Sequence, residues 1–494
     1  MFATFIVFVA YVLAATARWL TRKFGVITID QIIFHLNMPL DSSERLIRSY
    51  FCNIWLAAAA VALFFYFFIV RRYRKELPVQ AFLRRHLKLT VSAVLLTSLV
   101  YTGVKMRVDD MWRQYRRFNV TSSFFEDNYV DPREVRLTFP QQKRNLIVIF
   151  MESMDTGHLQ TKYHDHFKTN LTPELQKLAR ENINFSDNDD IGGAYQVRGA
   201  NFTQAGLTAQ TCGLPLKLPI ESSHFRPENG FLPEAKCLFE FLKEQGYEQT
   251  LVNGMPKTFG GLDKFLESHG NIKLMDTWYM QEQGMLQPED YSEGTKIVKD
   301  RSLLEISKHE IERLAASGKP FSFTVMTIDT HLGRQFFDRE YCKPRFERTD
   351  KHHDYKNIFA CQSKLLGDFV SWIKAQPFYE NTTVVMLADH LLMYDADFKK
   401  TLKDKRVLNI FINPADMPQK FKNRKFLSFD IYPTILSALG VQIEGQRLGL
   451  GTSLYSTEPT LAEREKSIKK INKKLDARSQ VYEQMLYGKV IGEK

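Results

Sequence analysis

Three apolar runs in the first hundred residues constrain this chain more than any other feature: FATFIVFVAYVLAATARWL (2–20), NIWLAAAAVALFFYFFIV (53–70) and LTVSAVLLTSLVYTGV (89–104). Each approaches the ~20 residues a helix needs to cross a hydrocarbon layer, where every backbone N–H and C=O must be paired within the segment. They predict three membrane helices, at about 2–20, 53–70 and 87–105. The first run begins at Phe2 without a basic leader or a small-residue cleavage site, so it reads as an anchor and not as a removable signal.

Charge orients these helices, because short cytoplasmic loops collect Lys and Arg. Loop 71–88, RRYRKELPVQAFLRRHLK, carries seven, whereas 21–52 carries four offset by three acids. The amino terminus and the 71–88 loop are therefore expected in the cytoplasm, and everything after the third helix on the outer face. The formal net charge of +11 is then mainly a signal of topology and anionic lipid, not of a nucleic-acid partner.

Cysteine usage agrees with that sidedness. Cys52 borders the second helix, while Cys212, Cys237, Cys342 and Cys361 all fall in the external part. An even number there is compatible with two disulfides. Pairing of neighbours, Cys212 with Cys237 and Cys342 with Cys361, is preferred, although sequence leaves the connectivity open. No pair has the CxxC spacing of a zinc cluster.

From about residue 143 short buried-strand patterns recur: NLIVIFM (145–151), QTLV (249–252), FSFTVMT (321–327), TTVVMLA (382–388) and VLNIFI (407–412). Amphipathic helical patterns alternate with them, at 234–246, 302–318 and 357–375. This alternation predicts an α/β domain with a mainly parallel sheet covered by helices on both faces. The chain accordingly divides into a membrane part (1–106), a linker near the membrane surface (107–142), the α/β domain (143–456) and a charged carboxy-terminal helix (457–494). That last helix is expected to pack on its own domain.

Ligands of such sheets sit at the carboxyl ends of the strands. NLIVIFM runs into Glu152, TTVVMLA into Asp389 and His390, and FSFTVMT into Asp329 and His331. Singly, each has a plain reading as a helix cap or a loop hydrogen-bonding group. Together they place on one face the residue types that hold a divalent cation, and one hydroxyl would complete a set of four. The small-residue stretch GGAYQVRGANFTQAGLTAQTCGLPLKLP (192–219) offers Thr203, Thr208 and Thr211. Gly192 to Ala200 read as a flexible approach to them.

The succession IFMESM, GANFTQAGLTAQTCGLPL, FGGLDKFLESHG, TIDTHLG and ADHLLM, spread over 143–455, resembles the phosphoglycerol transferases of the alkaline phosphatase and sulfatase superfamily. The likeness is to the Gram-negative, periplasmic-glucan-modifying type (phosphoglycerol transferase I) and, more distantly, to lipoteichoic acid synthase. The resemblance implies an alkaline phosphatase/sulfatase-like fold behind three transmembrane helices, in a bacterial inner membrane with the catalytic domain in the periplasm. It makes Thr203, in the context Phe202-Thr203-Gln204-Ala205-Gly206 at a helix start, the nucleophile. Glu152, Asp389 and His390, with the Thr203 oxygen, become ligands of one divalent ion, Mn2+ favoured and Mg2+ or Zn2+ as alternatives. His331 would hold the phosphoryl group or protonate the leaving oxygen. The implied reaction moves glycerophosphate from phosphatidylglycerol in the bilayer to an envelope glycan or lipopolysaccharide, through a phospho-threonine-type intermediate.

Physical chemistry is consistent with those roles, since a threonine hydroxyl is a poor nucleophile at neutral pH and a metal lowers the pKa of an oxygen bound to it. Thr208 and Thr211 lie further along the same helix and are expected to hydrogen-bond within it. Two departures from the family pattern bear on substrate. NGMPKTFGGLDKF (253–265) lacks the arginine and tryptophan of the teichoic acid enzymes, leaving Asn253, Lys257 and Phe259 as candidate head-group contacts. The chain also ends soon after RLGLGTSLYS (447–456), without the extension of the glucan-modifying enzyme, so a different surface glycan is expected as acceptor. The rival functions are a phosphoethanolamine transferase, a sulfatase-like hydrolase, whose C/S-x-P-x-R context TCGLPL lacks, and a membrane-anchored protein without catalysis.

Overall fold

The computed structural model describes residues 1–24, 28–36, 48–71, 77–118, 120–163, 167–218, 230–292, 295–331, 336–347, 354–392 and 404–488. Part of the basic 71–88 loop (72–76), Pro219, Leu332 and Gly333 of TIDTHLG, and Met393 of ADHLLM lie outside them. Among the described residues three helices are long and apolar enough to cross a membrane: Phe2–Arg22, Arg48–Val70 and Leu87–Met106. They belong to one compact unit, and a second is built from Asp30–Pro39, Arg117–Met393 and Asp397–Lys494.

The second unit is organised by a seven-stranded sheet. In chain order its strands are β1 (Asn145–Met151), β2 (Gly193–Ala194), β3 (Glu248–Asn253), β4 (Lys273–Met275), β5 (Phe321–Met326), β6 (Thr382–Ala388) and β7 (Val407–Ile412). Across the sheet they run β2-β7-β6-β1-β5-β3-β4. Strand β1 pairs in parallel with β5 and β6, and β3 with β4 and β5. Every residue of β1, β5, β6 and β7 is buried, which is why these segments read as unbroken apolar runs and not as alternating ones. An apolar run carries no direction, however, and VLNIFI proves to be antiparallel to β6.

The expected helices form as Leu238–Glu244, Asp300–Ala316 and Tyr355–Lys374. The first is shorter than its pattern because Cys237 is its N-cap, with the Glu240 carboxylate accepting the Cys237 N–H at 2.8 Å. Cys237 is bonded to Cys212 and Cys342 to Cys361, the neighbour pairing, and Cys52 is free.

Two expectations change. From Arg117 onward the segment 107–142 is part of the α/β unit and not a separate linker. Phe124 and Phe125 are buried in its core, and Leu137–Thr138 pair with Gln442–Ile443. The charged tail packs on its own domain, but as three helices, Leu461–Glu465, Ile468–Asp476 and Gln480–Tyr487. The breaks come at Thr460, Ser467 and Ser479, each of which caps the next helix with its hydroxyl. Ile471, Leu475, Tyr482 and Met485 join the core, and Asp476 accepts a 2.7 Å hydrogen bond from Arg117.

Beyond β1 the chain is held by a buried polar string. His158 stacks on Phe359 with ring centroids 3.9 Å apart, its Nδ1 lies 3.1 Å from the Asp155 carbonyl, and its Nε2 meets the Tyr355 hydroxyl. Burial pulls the His158 imidazolium down to about 4, against the partial compensation of Asp155. The folded value lies below the ordinary one of ~6.5, so the unfolded chain binds the extra proton between them and stability is lost as pH falls through that window. The His158→Gln variant is expected to be less stable than the wild type at pH 7, yet to lose less between pH ~6.5 and ~4, as read from urea midpoints across that range.

Candidate active site

Because β1, β5 and β6 lie side by side and parallel, their carboxyl ends meet at one edge, with Phe150 beside Met326 and Met151 beside Ala388. Glu152 leaves β1 there and is fixed through its backbone. Its N–H donates to Thr327 Oγ1 at 3.1 Å and its carbonyl accepts from the Thr330 hydroxyl at 2.7 Å. Ser153 ties the two acids together: its N–H donates to Asp389 Oδ1 at 2.8 Å and its hydroxyl to Glu152 Oε1 at 2.5 Å.

The Thr203–Cys212 helix lies directly against this edge. A Cβ on Gly206 would sit 2.1 Å from the Asp389 carbonyl oxygen, so only glycine permits the approach. One turn on, Gln210 Nε2 donates to the carbonyls of Ala388 and Asp389 at 3.0 and 3.3 Å. Thr203, the first helical residue, therefore faces the strand ends, its Oγ1 3.4 Å from Glu152 Oε2 and 3.5 Å from His390 Nε2. Thr208 and Thr211 donate instead to the helix carbonyls of Gln204 and Leu207, at 2.8 and 2.7 Å.

His390 completes the cluster, its Nε2 3.3 Å from Asp389 Oδ2 and 3.7 Å from Glu152 Oε1. Its Nδ1 lies 2.8 Å from the Leu391 carbonyl. A carbonyl can only accept, so the proton is assigned to Nδ1 and the Nε2 lone pair faces the acids, as in metal-binding histidines. Glu152, Asp389 and His390 are all at most 2% exposed. Burial, then repulsion from Glu152, pushes Asp389 up to about 7. Burial alone would lower His390, but Asp389 and Glu152 outweigh it and the net shift is upward. Asp389 Oδ2 is buried without a hydrogen-bond partner. Two desolvated carboxyls with an orphaned oxygen form a setting that a bound cation would compensate. The ligand atoms of Glu152, Asp389 and His390 lie within 4.8 Å of one another and fit a divalent metal.

Other candidates are placed less centrally. His331 sits half-buried at the bend after β5, on the same edge, with its N–H donating to Ile328 at 2.8 Å. Asp329 turns elsewhere: its Oδ2 accepts the Asp300 N–H at 3.1 Å, while Asp300 accepts the N–H groups of Ile328 and Asp329. That acid therefore anchors the Asp300–Ala316 helix. Asn253, at the end of β3, accepts the Met255 N–H at 3.3 Å, and Phe259 packs with Met255, Ile297 and Ile328. Lys257 is exposed, its backbone N–H donating to Asp276.

The sulfatase family pattern matches residues 144–441, which hold all of these groups. The chain belongs to the sulfatase family. As a sulfatase-family protein it is 32% identical over 325 residues to phosphoglycerol transferase I of Escherichia fergusonii, and 31% identical to that of Salmonella paratyphi B. Each alignment covers 66% of this chain and 40% of the relative, so the match spans about two fifths of those relatives' length. Two solved structures share the fold. One is an alkaline phosphatase superfamily protein of Vibrio parahaemolyticus (TM-score 0.50, 20% identity, covering 72% of this chain and 80% of that one). The other is the lipoteichoic acid synthase LtaP of Listeria monocytogenes (TM-score 0.50, 15% identity, covering 68% and 82%).

Sequence reasoning misjudged one part of this sulfatase-family site and missed another. Gly192 to Ala200 do not form a flexible approach. Gly193–Ala194 are strand β2, and a Cβ on Gly193 would lie 2.0 Å from the Val407 carbonyl. Gln196 Oε1 accepts the Leu391 N–H at 2.7 Å. The glycines permit close packing rather than motion. The supporting residues Ser153, Gln196 and Gln210 carry no local pattern, and the one signal available was Gly206, four residues before Gln210 on the same helix face.

Gly206→Ala must push the helix off Asp389. Divalent-ion affinity, followed by calorimetric titration with Mn2+, is expected to weaken by ~10- to 100-fold, the usual cost of disturbing the support of a metal ligand. Gly103→Ala, inside the helix Leu87–Met106 where an added Cβ meets nothing within 4 Å, is the control for a harmless added methyl.

Proposed function

We propose that this protein is a membrane-anchored, metal-dependent phosphoglycerol transferase that moves glycerophosphate from phosphatidylglycerol to a cell-envelope glycan or lipopolysaccharide. The observation that carries the reading is Thr203. It is the first residue of a helix, with its hydroxyl turned toward Glu152 and His390, in a family member related to enzymes named phosphoglycerol transferase I.

In the proposed first half-reaction Thr203 Oγ forms a bond to phosphorus as the bond to the diacylglycerol oxygen breaks, leaving glycerophospho-threonine. His331 donates the proton that the departing alkoxide requires. In the second half the acceptor hydroxyl gives its proton to His331 and bonds to phosphorus as the Thr203 Oγ–P bond breaks. The glycerophosphate so passes to the glycan, and Thr203 leaves as the deprotonated oxygen that began the cycle. Glu152, Asp389, His390 and the Thr203 oxygen would hold one divalent ion, Mn2+ in preference to Mg2+ or Zn2+. Bound there, that ion would make the threonine hydroxyl more acidic and offset charge on the phosphoryl oxygens. The first N–H groups of the Thr203–Cys212 helix favour the phosphoryl anion. Asn253, Lys257 and Phe259 are retained as head-group candidates.

The proposed setting is a bacterial inner membrane, with spans at about 2–20, 53–70 and 87–105, the catalytic segment 143–456 and the α/β unit that contains it in the periplasm, and the amino terminus in the cytoplasm. Two observations support this sidedness. The four cysteines beyond the spans form two disulfides, which persist in oxidising compartments. Phe34, in the 21–52 loop whose charge balance puts it outside, is part of the core of the α/β unit, and segments that share a core lie on one side of a bilayer.

The full chain, purified and incubated with Mn2+ and phosphatidylglycerol labelled in both acyl chain and head group, is expected to release labelled diacylglycerol. Mass spectrometry should locate glycerophosphate on Thr203. Thr203→Ala should abolish both signals, a loss of at least ~10³-fold by analogy with nucleophile deletions elsewhere. Diacylglycerol release by the variant at the wild-type rate would end this mechanism, and selective consumption of phosphatidylethanolamine would replace the donor.

A further inference from the structure

The helix that presents Thr203 begins without a polar side-chain cap. An N-cap is ordinarily Ser, Thr, Asp or Asn, whose side chain accepts an N–H of the first turn and fixes the extended conformation of the capping residue. Here the N-cap is Phe202, extended at φ −151° and ψ 163°, with no side-chain cap. Its carbonyl does accept the Gly206 N–H, at 2.8 Å. Besides that backbone bond, the ring of Phe202 is packed, being only 4% exposed.

The ring against which it packs comes from a distant part of the chain. Phe34, 1% exposed, lies 5.0 Å from Phe202 and 6.2 Å from Phe231, measured between centroids. Phe231 is in turn braced edge-on by Phe265 at 5.7 Å. Phe34 belongs to the short helix Ile29–Leu36 in the loop joining the first two membrane-length helices. Gln31, one turn earlier, is also buried, and Ile33 is packed against the same core. A loop helix of eight residues is too short to be stable by itself. It is held by this docking, and the docking ends on the residue before the nucleophile.

We infer that Phe34 is a positioning residue for the transfer reaction, clamping Phe202 so that Thr203 Oγ is held toward Glu152 and His390. The inference rests on the reading of Thr203 as nucleophile. It has a chemical rationale: a Ser or Asp cap would occupy first-turn N–H groups that a phosphoryl anion would use. An aromatic clamp from another segment fixes the helix start and leaves those donors open. It also makes the active site depend on the segment between two membrane-length helices and not on the α/β fold alone.

The test compares wild type, Phe34→Ala, Phe34→Leu and Thr203→Ala as full-length protein in mixed micelles, with phosphatidylglycerol varied and diacylglycerol release measured. Rates are counted per folded molecule, taken from the stoichiometry of Mn2+ binding. Clamping predicts that kcat falls about 100-fold for Phe34→Ala, the scale of a misplacement of about 1 Å, with KM little changed. Phe34→Leu, which keeps most of the volume, should fall in between and guards against a variant that does not fold. Wild-type kcat in the folded fraction of both Phe34 variants, or a rise in KM alone, overturns the inference; the latter would make the loop a donor guide. If Thr203→Ala is as active as wild type, it is the nucleophile assignment that fails, whatever Phe34 does.

Discussion

The arrangement turns on one close approach, that of Gly206 to the backbone of Asp389. With a Cβ only 2.1 Å from that carbonyl excluded by sterics, the Thr203–Cys212 helix lies as near the sheet edge as backbone can. Gln210 adds two hydrogen bonds to the same stretch. Everything chemically interesting follows from this contact. It sets the height of Thr203 above the strand ends, and it satisfies carbonyls at the end of β6 that would otherwise be buried and unpaired.

The strand ends themselves were legible because they obey a local rule. Parallel strands buried on both faces must be apolar, and the residue at which each run stops is the first free to be polar. Glu152, Asp389 and His390 stand at such stops, and so does Asp329. The same rule could not tell that Asp329 turns to the Asp300 backbone, because its partner is 29 residues away in sequence and nothing near it announces the pairing. The direction of β7 was hidden for a similar reason, since VLNIFI satisfies burial equally well in either orientation. The breaks in the tail at Ser467 and Ser479 were in principle readable as caps, but a strongly charged stretch masks three short periodicities as one.

Glycine shows where reading by composition goes wrong. Gly193 and Gly206 look like flexibility, yet both are points where backbone meets backbone, at Val407 and Asp389. Flexibility and close contact both favour a missing side chain, and only the long-range fold distinguishes them. Phe34 is the opposite case: in IDQIIFHL it reads as one apolar residue of a loop helix, and its importance lies wholly in what it touches, Phe202 and Phe231.

Charge and packing are coupled at this centre. Glu152 and Asp389 are both desolvated and linked through Ser153, and Glu152 opposes ionisation of Asp389. A proton on Asp389 or positive charge at its orphaned Oδ2 relieves that opposition. Asp389 is also the residue that the Thr203–Cys212 helix grips from behind. The acid-histidine cluster and the threonine therefore cannot be adjusted independently: a shift in the helix moves the carboxylate, and a shift in the carboxylate moves the helix. Such coupling favours residues that do not move, and this edge is bound by the Ser153 N–H donating to Asp389 Oδ1, the Leu391 N–H donating to Gln196 Oε1 and the Gln210 side-chain amide donating to the Ala388 carbonyl. A site that must hold two like charges together can do so only in a frame that denies them room to separate.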